Sequence, residues 1–180
     1  MEKIESMLDT LDIKAGDTVL DVGTGTGILL PLLMRRTSPE KITAIDASEK
    51  MIEKAIEKFS NTAVKFIAAD ILEHSFNGKN FDHIICYSVF PHFEDKPAAI
   101  KKLSALLAPG GLLCVIHSSS REKINKTHTH IPSCGINADF LLPAQDYFPL
   151  LNRNGLMEEN IIDNEEMFML CGRKPPHAPL

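Results

Sequence analysis

VLDVGTGTGILLPLL, residues Val19 to Leu33, runs from an apolar strand through an aspartate and three alternate glycines into a second apolar run. Three glycines within five residues are costly to order, because glycine loses more backbone freedom on folding than any other residue. Such a turn, following a first strand and opening a helix, lets the backbone approach a ligand while the helix start offers free N–H groups. Asp46 stands 19 residues after Gly27, at the end of the next Val/Ile-rich run. There an acidic side chain can accept hydrogen bonds from both hydroxyls of a ribose. Loop and acid together predict a nucleoside site.

Outward from this stretch, strands and helices alternate. The helix after the glycines is expected over Ile28–Arg36, and strand two over Lys41–Asp46. Ser48 is placed as the N-cap of a helix in which Met51, Ile52, Ala55 and Phe59 recur at helical spacing. Strands three and four fall at Ala63–Asp70 and Phe81–Ser88, and a helix with Pro97 in its first turn stops at Pro109-Gly110-Gly111. Strand five is Gly111–His117. A helix over Pro143–Arg153 ends at Asn154-Gly155, and MEENIID and EMFMLCGRK read as a closing antiparallel hairpin. Alternating strands and helices build a parallel sheet through right-handed crossovers. The expected fold is therefore α/β: a Rossmann-like, seven-stranded, mostly parallel sheet with helices on both faces and a C-terminal β-hairpin. Residues 1–174 are read as one domain with a polar segment at about 117–138, and 175–180 as a frayed tail.

The bulk numbers narrow the class. The chain has 180 residues, 44% hydrophobic and 24% charged, which suits a globular domain with a real core. A net charge of −5, with no basic run longer than two residues, argues against nucleic acid as partner. Cys86, Cys114, Cys134 and Cys171 form no C-x-x-C pair, and the three of them that sit inside apolar runs are expected to be reduced core residues. The acidic N-terminus lacks the apolar core of a signal peptide, and Ile28–Met34 is too short for a bilayer. These features predict a cytoplasmic protein without membrane association; nothing in the sequence speaks to its oligomeric state.

The glycine spacing selects among nucleosides. In a G-x-G-x-x-G dinucleotide fingerprint led by Gly23 and Gly25, the last glycine would fall on Ile28. Asp21-Val-Gly23-Thr24-Gly25-Thr-Gly27, with ITAIDAS, FIAADIL and LAPGGLLCV, instead resembles the class I S-adenosylmethionine-dependent methyltransferase family, from about Ile4 to Ile116 and again in the closing hairpin. The resemblance implies that Gly23, Thr24, Gly25 and Gly27 wrap the methionine part of S-adenosyl-L-methionine, with Asp21 linked to its amino group. It implies further that Asp46 holds the ribose, Ala47 leaves room for adenine, and Asp70 and the Ile71 N–H meet the ring. Cys86 and Tyr87 would flank the methionine carboxylate and amine.

YSVFPHF, Tyr87–Phe93, stands where relatives that methylate amide or base nitrogens carry Asn/Asp-Pro-Pro-Tyr/Phe, so the resemblance is to enzymes with small-molecule acceptors. His92 becomes a candidate base or acceptor contact, and Phe90 and Phe93 are read as closing the cofactor pocket. His117 ends strand five. If residues 120–128 are helical, Arg121, Asn125 and His128 share one face. That face has three readings: an anion clamp through Arg121 with His117 or His128 taking a proton, a metal held by His92, His117, His128 and His130, or a solvated lid. No specific metal pattern is present, and none is assigned. Phe140 and Tyr147 are expected to pack the last helix onto the sheet. Two other functions share the glycine loop: an NAD(P)-dependent oxidoreductase, and a non-catalytic S-adenosylmethionine-binding partner protein.

Overall fold

The computed structural model describes residues 2–128 and 140–176. Seven strands form one sheet: β1 (Val19–Val22), β2 (Ile42–Asp46), β3 (Lys65–Ala68), β4 (Phe81–Tyr87), β5 (Leu107–His117), β6 (Met157–Asp163) and β7 (Phe168–Arg173). Their order is β3-β2-β1-β4-β5-β7-β6. All pairs are parallel except those of β7, which runs antiparallel to both β5 and β6. The order reverses between β1 and β4, and open α/β sheets bind ligands at such a switch point, outside the carboxyl ends of the strands.

The inner strands are apolar on both sides because both faces are covered. Along β1 the faces alternate: Val19 joins the cluster under α1 (Glu2–Asp9) and α2 (Leu30–Leu33), while Leu20 and Val22 join the opposite one. The second cluster takes Ile100 and Leu103 from α4 (Lys96–Leu106) and Leu151 from α6 (Phe148–Arg153). Helix α3 (Glu49–Lys58) buries Ile52 and Ala55, and its Lys/Glu face is exposed. Cys86, Cys114 and Cys171 are buried free thiols; Cys134 lies outside the described residues.

Several boundaries differ from the sequence expectation, each for a local reason. The helix expected over Ile28–Arg36 is only Leu30–Leu33, because Gly27 takes φ +81° immediately before it and the chain leaves by turn bonds at Arg36 and Thr37. Ser48 precedes α3, but its side chain makes no cap bond; its N–H is instead taken by Asp46 Oδ1 at 2.8 Å. β5 begins at Leu107, which pairs with Phe81 across a register shift. The helix expected over 143–153 breaks into a tight 3₁₀ turn, Ala144–Tyr147, followed by α6, since Pro149 has no N–H to continue the first element. Tyr147 is buried beside Phe90, their ring centroids 5.7 Å apart, whereas Phe140 is half-buried. Within the expected frayed tail, the Pro175 carbonyl accepts the Gly110 N–H at 3.3 Å; residues 177–180 lie outside the described part. The polar segment contains α5 (Arg121–His128), which bears out the helical option for it. No helix among the described residues is long and apolar enough to cross a membrane.

Candidate active site

The site is built at the carboxyl ends of β1, β2 and β4. After Val22 the chain turns left-handed at Gly23 (φ +68°) and Gly25 (φ +56°). The N–H groups of Gly23 and Thr24 both donate to the Ile45 carbonyl, at 2.8 and 3.1 Å, tying the loop to β2. Asp46 completes the tie: its Oδ2 accepts the Gly25 N–H at 2.8 Å, while Oδ1 holds Ser48. The strand-two acid thus shapes the glycine loop as well as facing the cleft.

The three glycines are small for different reasons. A Cβ on Gly23 would sit 2.3 Å from Val89 Cγ2, and one on Gly27 would sit 2.5 Å from the Phe59 ring. These two positions are closed by the protein's own side chains. A Cβ on Gly25 would meet nothing within 4 Å. Gly25 therefore presents bare backbone to open space, and it lines a cleft of about 670 Å³.

The cleft brings together Gly23, Gly25, Asp46, Ala47, Asp70, Ile71 and His92 from among the residues singled out in the sequence. Among the described residues it is charged only by acids, Asp46, Asp70 and Glu94, and no described lysine or arginine lines it. Asp70 Oδ1 accepts the Leu72 N–H at 2.8 Å, so it also braces its own turn. Asp21 lies under the loop, 1% exposed, with Thr24 Oγ1 donating to its Oδ2 at 2.7 Å. Burial pushes its carboxyl up to about 7; the Thr24 hydroxyl opposes this, and the nearby Asp46 charge adds to it.

Other residues singled out in the sequence stand elsewhere. Cys86 is fully buried, its thiol pushed up by burial, and its side chain belongs to the core. Tyr87 packs against the α1/α2 face and its hydroxyl pairs with Ser118 Oγ at 2.8 Å. At the end of β4 the cleft is lined instead by Ser88 and Val89, because Ser88 takes φ +54° and turns the chain over Gly23. His117 is 3% exposed, edge-on to Phe168 with centroids 6.1 Å apart, and is not part of the cleft lining. Arg121 Nε donates to both carboxylate oxygens of Asp163, at 3.1 and 3.3 Å, so its charge is already paired. Asn125 is bonded in both directions to the Leu141 backbone, at 3.0 and 2.8 Å, which commits it to structure. His128 ends α5, and His130 lies outside the described residues. No group of three or more metal-ligating side chains occurs among the described residues. Phe93 lines the cleft, whereas Phe90 is wholly buried.

Sequence reasoning missed Ser88, Val89, Met51, Leu72 and Glu94 as cleft residues. Met51 had a signal, since it stands one helical turn after Ser48 at the mouth of β2. Glu94 had none.

The methyltransferase-domain family matches residues 19–111, just over half of the chain. Malonyl-[acyl-carrier protein] O-methyltransferase of Priestia megaterium is 30% identical over 151 residues, covering 82% of this chain and 54% of that protein. An uncharacterized methyltransferase of Mycobacterium bovis is 31% identical over 112 residues, covering 62% and 56%. The chain thus spans about half the length of these curated relatives. Among solved structures, the N-methyltransferase NodS of Bradyrhizobium japonicum in complex with S-adenosyl-L-homocysteine superposes with a TM-score of 0.72 at 22% identity, covering 97% of this chain and 87% of that one. The complex of the Haloferax volcanii Trm112 methyltransferase activator with a methyltransferase gives a TM-score of 0.81 at 18% identity, covering 99% and 90%. At such identities the structures speak for the fold alone, while the matched family covers the glycine loop, Asp46, Asp70 and the end of β4 together. The chain belongs to the class I S-adenosylmethionine-dependent methyltransferase family.

Proposed function

We propose that this chain transfers a methyl group from S-adenosylmethionine to a small-molecule acceptor at the mouth of the cleft. One observation carries the reading: a single cleft is lined by bare loop backbone, the Asp46 carboxylate, and His92, Phe93 and Glu94. The residues present fit the cofactor. Gly25 leaves space where any side chain would intrude, the carboxylates suit a cation, and Met51, Ile71 and Leu72 offer apolar surface to a flat base. Asp46 is assigned to the ribose; Gly23, Thr24, Gly25 and Gly27, with Asp21 beneath them, to the amino-acid portion; Ala47, Asp70 and Ile71 to the adenine. At the end of β4, Ser88 and Val89 take the part that the resemblance gives to Cys86 and Tyr87.

When bound, the cofactor supplies an electrophilic methyl on a sulfonium, the activated group of an in-line displacement. The protein's work is alignment and removal of a proton where the acceptor carries one. Val89 and Phe93 line the cleft and would exclude water from it, and His92, in the same lining, is assigned to take the proton. His117, His128 and Arg121 remain candidates on the acceptor side, Arg121 only if its pair with Asp163 opens. The small-molecule assignment is supported by the absence of lysine and arginine from the cleft lining among the described residues and by net charge −5. The names of similar proteins, which include a phosphoethanolamine and a magnesium protoporphyrin IX methyltransferase, point the same way.

Calorimetric titration with S-adenosylhomocysteine and with NADH tests the cofactor: binding of the first and not the second is expected, and the reverse overturns the reading. Methyl-labelled S-adenosylmethionine, incubated with the protein and a fractionated cell extract, tests the acceptor. Label is expected in the small-molecule filtrate. Label confined to retained protein or nucleic acid contradicts the acceptor class, and no label despite cofactor binding favours a non-catalytic partner.

A further inference from the structure

Asp21 is the buried acid of the site, and its surroundings are poor in compensation. It is 1% exposed, and the hydrogen bond it receives is from the neutral Thr24 hydroxyl. From β2 it faces another acid, Asp46, and from β4 it faces the Cys86 thiol. The α2 side contributes leucines, and Arg36 beyond them is occupied by the Leu32 and Glu5 carbonyls and by Asp9. No cation stands beside the carboxyl among the described residues. An ionised carboxylate so placed has lost its water without gaining a partner, and such a group neutralises by taking a proton. Its way out is short: Val22 and Gly23, the next two residues, already line the cleft.

We propose that Asp21 makes cofactor capture proton-coupled: the carboxyl carries a proton in the free protein and releases it to solvent when the cofactor's ammonium group docks above Gly23. The O–H bond of Asp21 breaks, the proton leaves through the open cleft, and the carboxylate left behind pairs with the incoming cation. The shift of this carboxyl to about 7 places the exchange near neutrality. The free protein thereby avoids a bare buried charge, and the charge appears only when its partner arrives. Capture weakens as pH falls, because protons compete with the cofactor for one carboxylate. This inference rests on the S-adenosylmethionine reading above and adds a control to the same site.

The test is calorimetry of S-adenosylhomocysteine binding to the intact chain in buffers of differing ionisation enthalpy. At pH 6 the ligand's own amine is fully protonated, so any proton released comes from the protein. Close to one proton released per site is expected at pH 6, and affinity should rise about tenfold between pH 6 and pH 7.5. Asp21→Asn, which keeps an acceptor for Thr24, should release none and show a flat pH profile. Asp46→Asn should bind more weakly yet still release the proton. A protonated-carboxyl infrared band that disappears on ligand addition provides a measure independent of the variants. Tight binding to the wild type with no proton released at pH 6, or release that persists in Asp21→Asn, overturns the proposal while leaving the cofactor reading intact. Failure of S-adenosylhomocysteine to bind at any pH overturns both.

Discussion

The two ends of the β1–β4 strand pair are built on opposite plans. At the amino ends the polar groups are paired, His83 Nδ1 excepted. Asp82 Oδ2 accepts the Thr18 N–H at 2.8 Å and its hydroxyl at 2.7 Å, and the Thr18 carbonyl takes the N–H groups of Asp82 and His83 at 3.0 Å. Asp17 Oδ2 accepts the Lys14 N–H at 2.8 Å and meets His83 Nε2 at 3.0 Å. At the carboxyl ends of the same strands, Gly23 and Ser88 are left-handed, Val89 is wedged against Gly23, and Asp21 has one neutral donor. Strain and an underpaired acid collect beside the cleft, where a ligand can relieve them, and well-paired polar groups collect at the opposite end.

The sharpest challenge to this division is Gly23→Ala. The left-handed backbone costs an alanine about 1–2 kcal/mol, and the 2.3 Å approach to Val89 adds overpacking on the order of 1–3 kcal/mol. We expect a stability loss of about 2–5 kcal/mol by denaturant titration, together with loss of S-adenosylhomocysteine binding. Val89→Ala in the same background should recover the steric part alone. Gly25→Ala supplies the contrast. It has the same backbone penalty but open space around the Cβ, so its stability cost should stay near 1–2 kcal/mol while ligand binding is still lost. Equal stability losses at Gly23 and Gly25 would mean that Val89 yields, and that the wedge is not a constraint.

Most of the frame was readable in the sequence because its signals are local. Each parallel strand is a short Val/Ile run bounded by turn residues, and the loop announces itself by alternate glycines. Asp46 is found by its place at a strand end. What could not be read depends on tertiary neighbours. Gly23 and Gly27 are glycines because Val89 and Phe59, far along the chain, press on them, and no spacing rule reports that. Arg121 looked free for an anion because its partner, Asp163, comes from β6, 42 residues later. Cys86 and Tyr87 were chosen by position at the end of β4, but the left-handed turn at Ser88 moves the cleft lining one residue on. Glu94 follows a 3₁₀ turn that carries no periodicity.

A paired substitution separates the two ends directly. Asp82→Ala removes the acceptor of the Thr18 N–H and hydroxyl, leaving a part-buried N–H unmade. It should cost about 1–3 kcal/mol of stability and leave S-adenosylhomocysteine affinity unchanged. Asp46→Ala should do the reverse. Affinity is expected to fall by about 1–3 kcal/mol through the lost charged hydrogen bonds, with the smaller stability cost that follows from freeing Gly25 and Ser48. Denaturation midpoints and calorimetric affinities on both variants test the crossing pattern, and parallel losses would show that the two ends are coupled through the strands.

The smallest effect concerns His83, the one place where the amino end is not fully satisfied. Its Nε2 is engaged by Asp17, while Nδ1 is buried with no hydrogen-bond partner. Burial lowers its pKa, against the raising influence of Asp17. A histidine whose folded pKa lies below the unfolded value, near 6.5, takes its proton first in the unfolded chain. Its penalty is therefore absent above about pH 6.5, grows as pH falls, and levels off once the folded protein also titrates. His83→Gln should flatten this part of the stability–pH curve below pH 6.5 and leave the curve unchanged above it. Because Asp21 titrates at the opposite end of β1, the same substitution should leave the proton release on S-adenosylhomocysteine binding untouched. A change in that release would show that the strand pair transmits charge between its ends, and the division of labour would no longer describe the molecule.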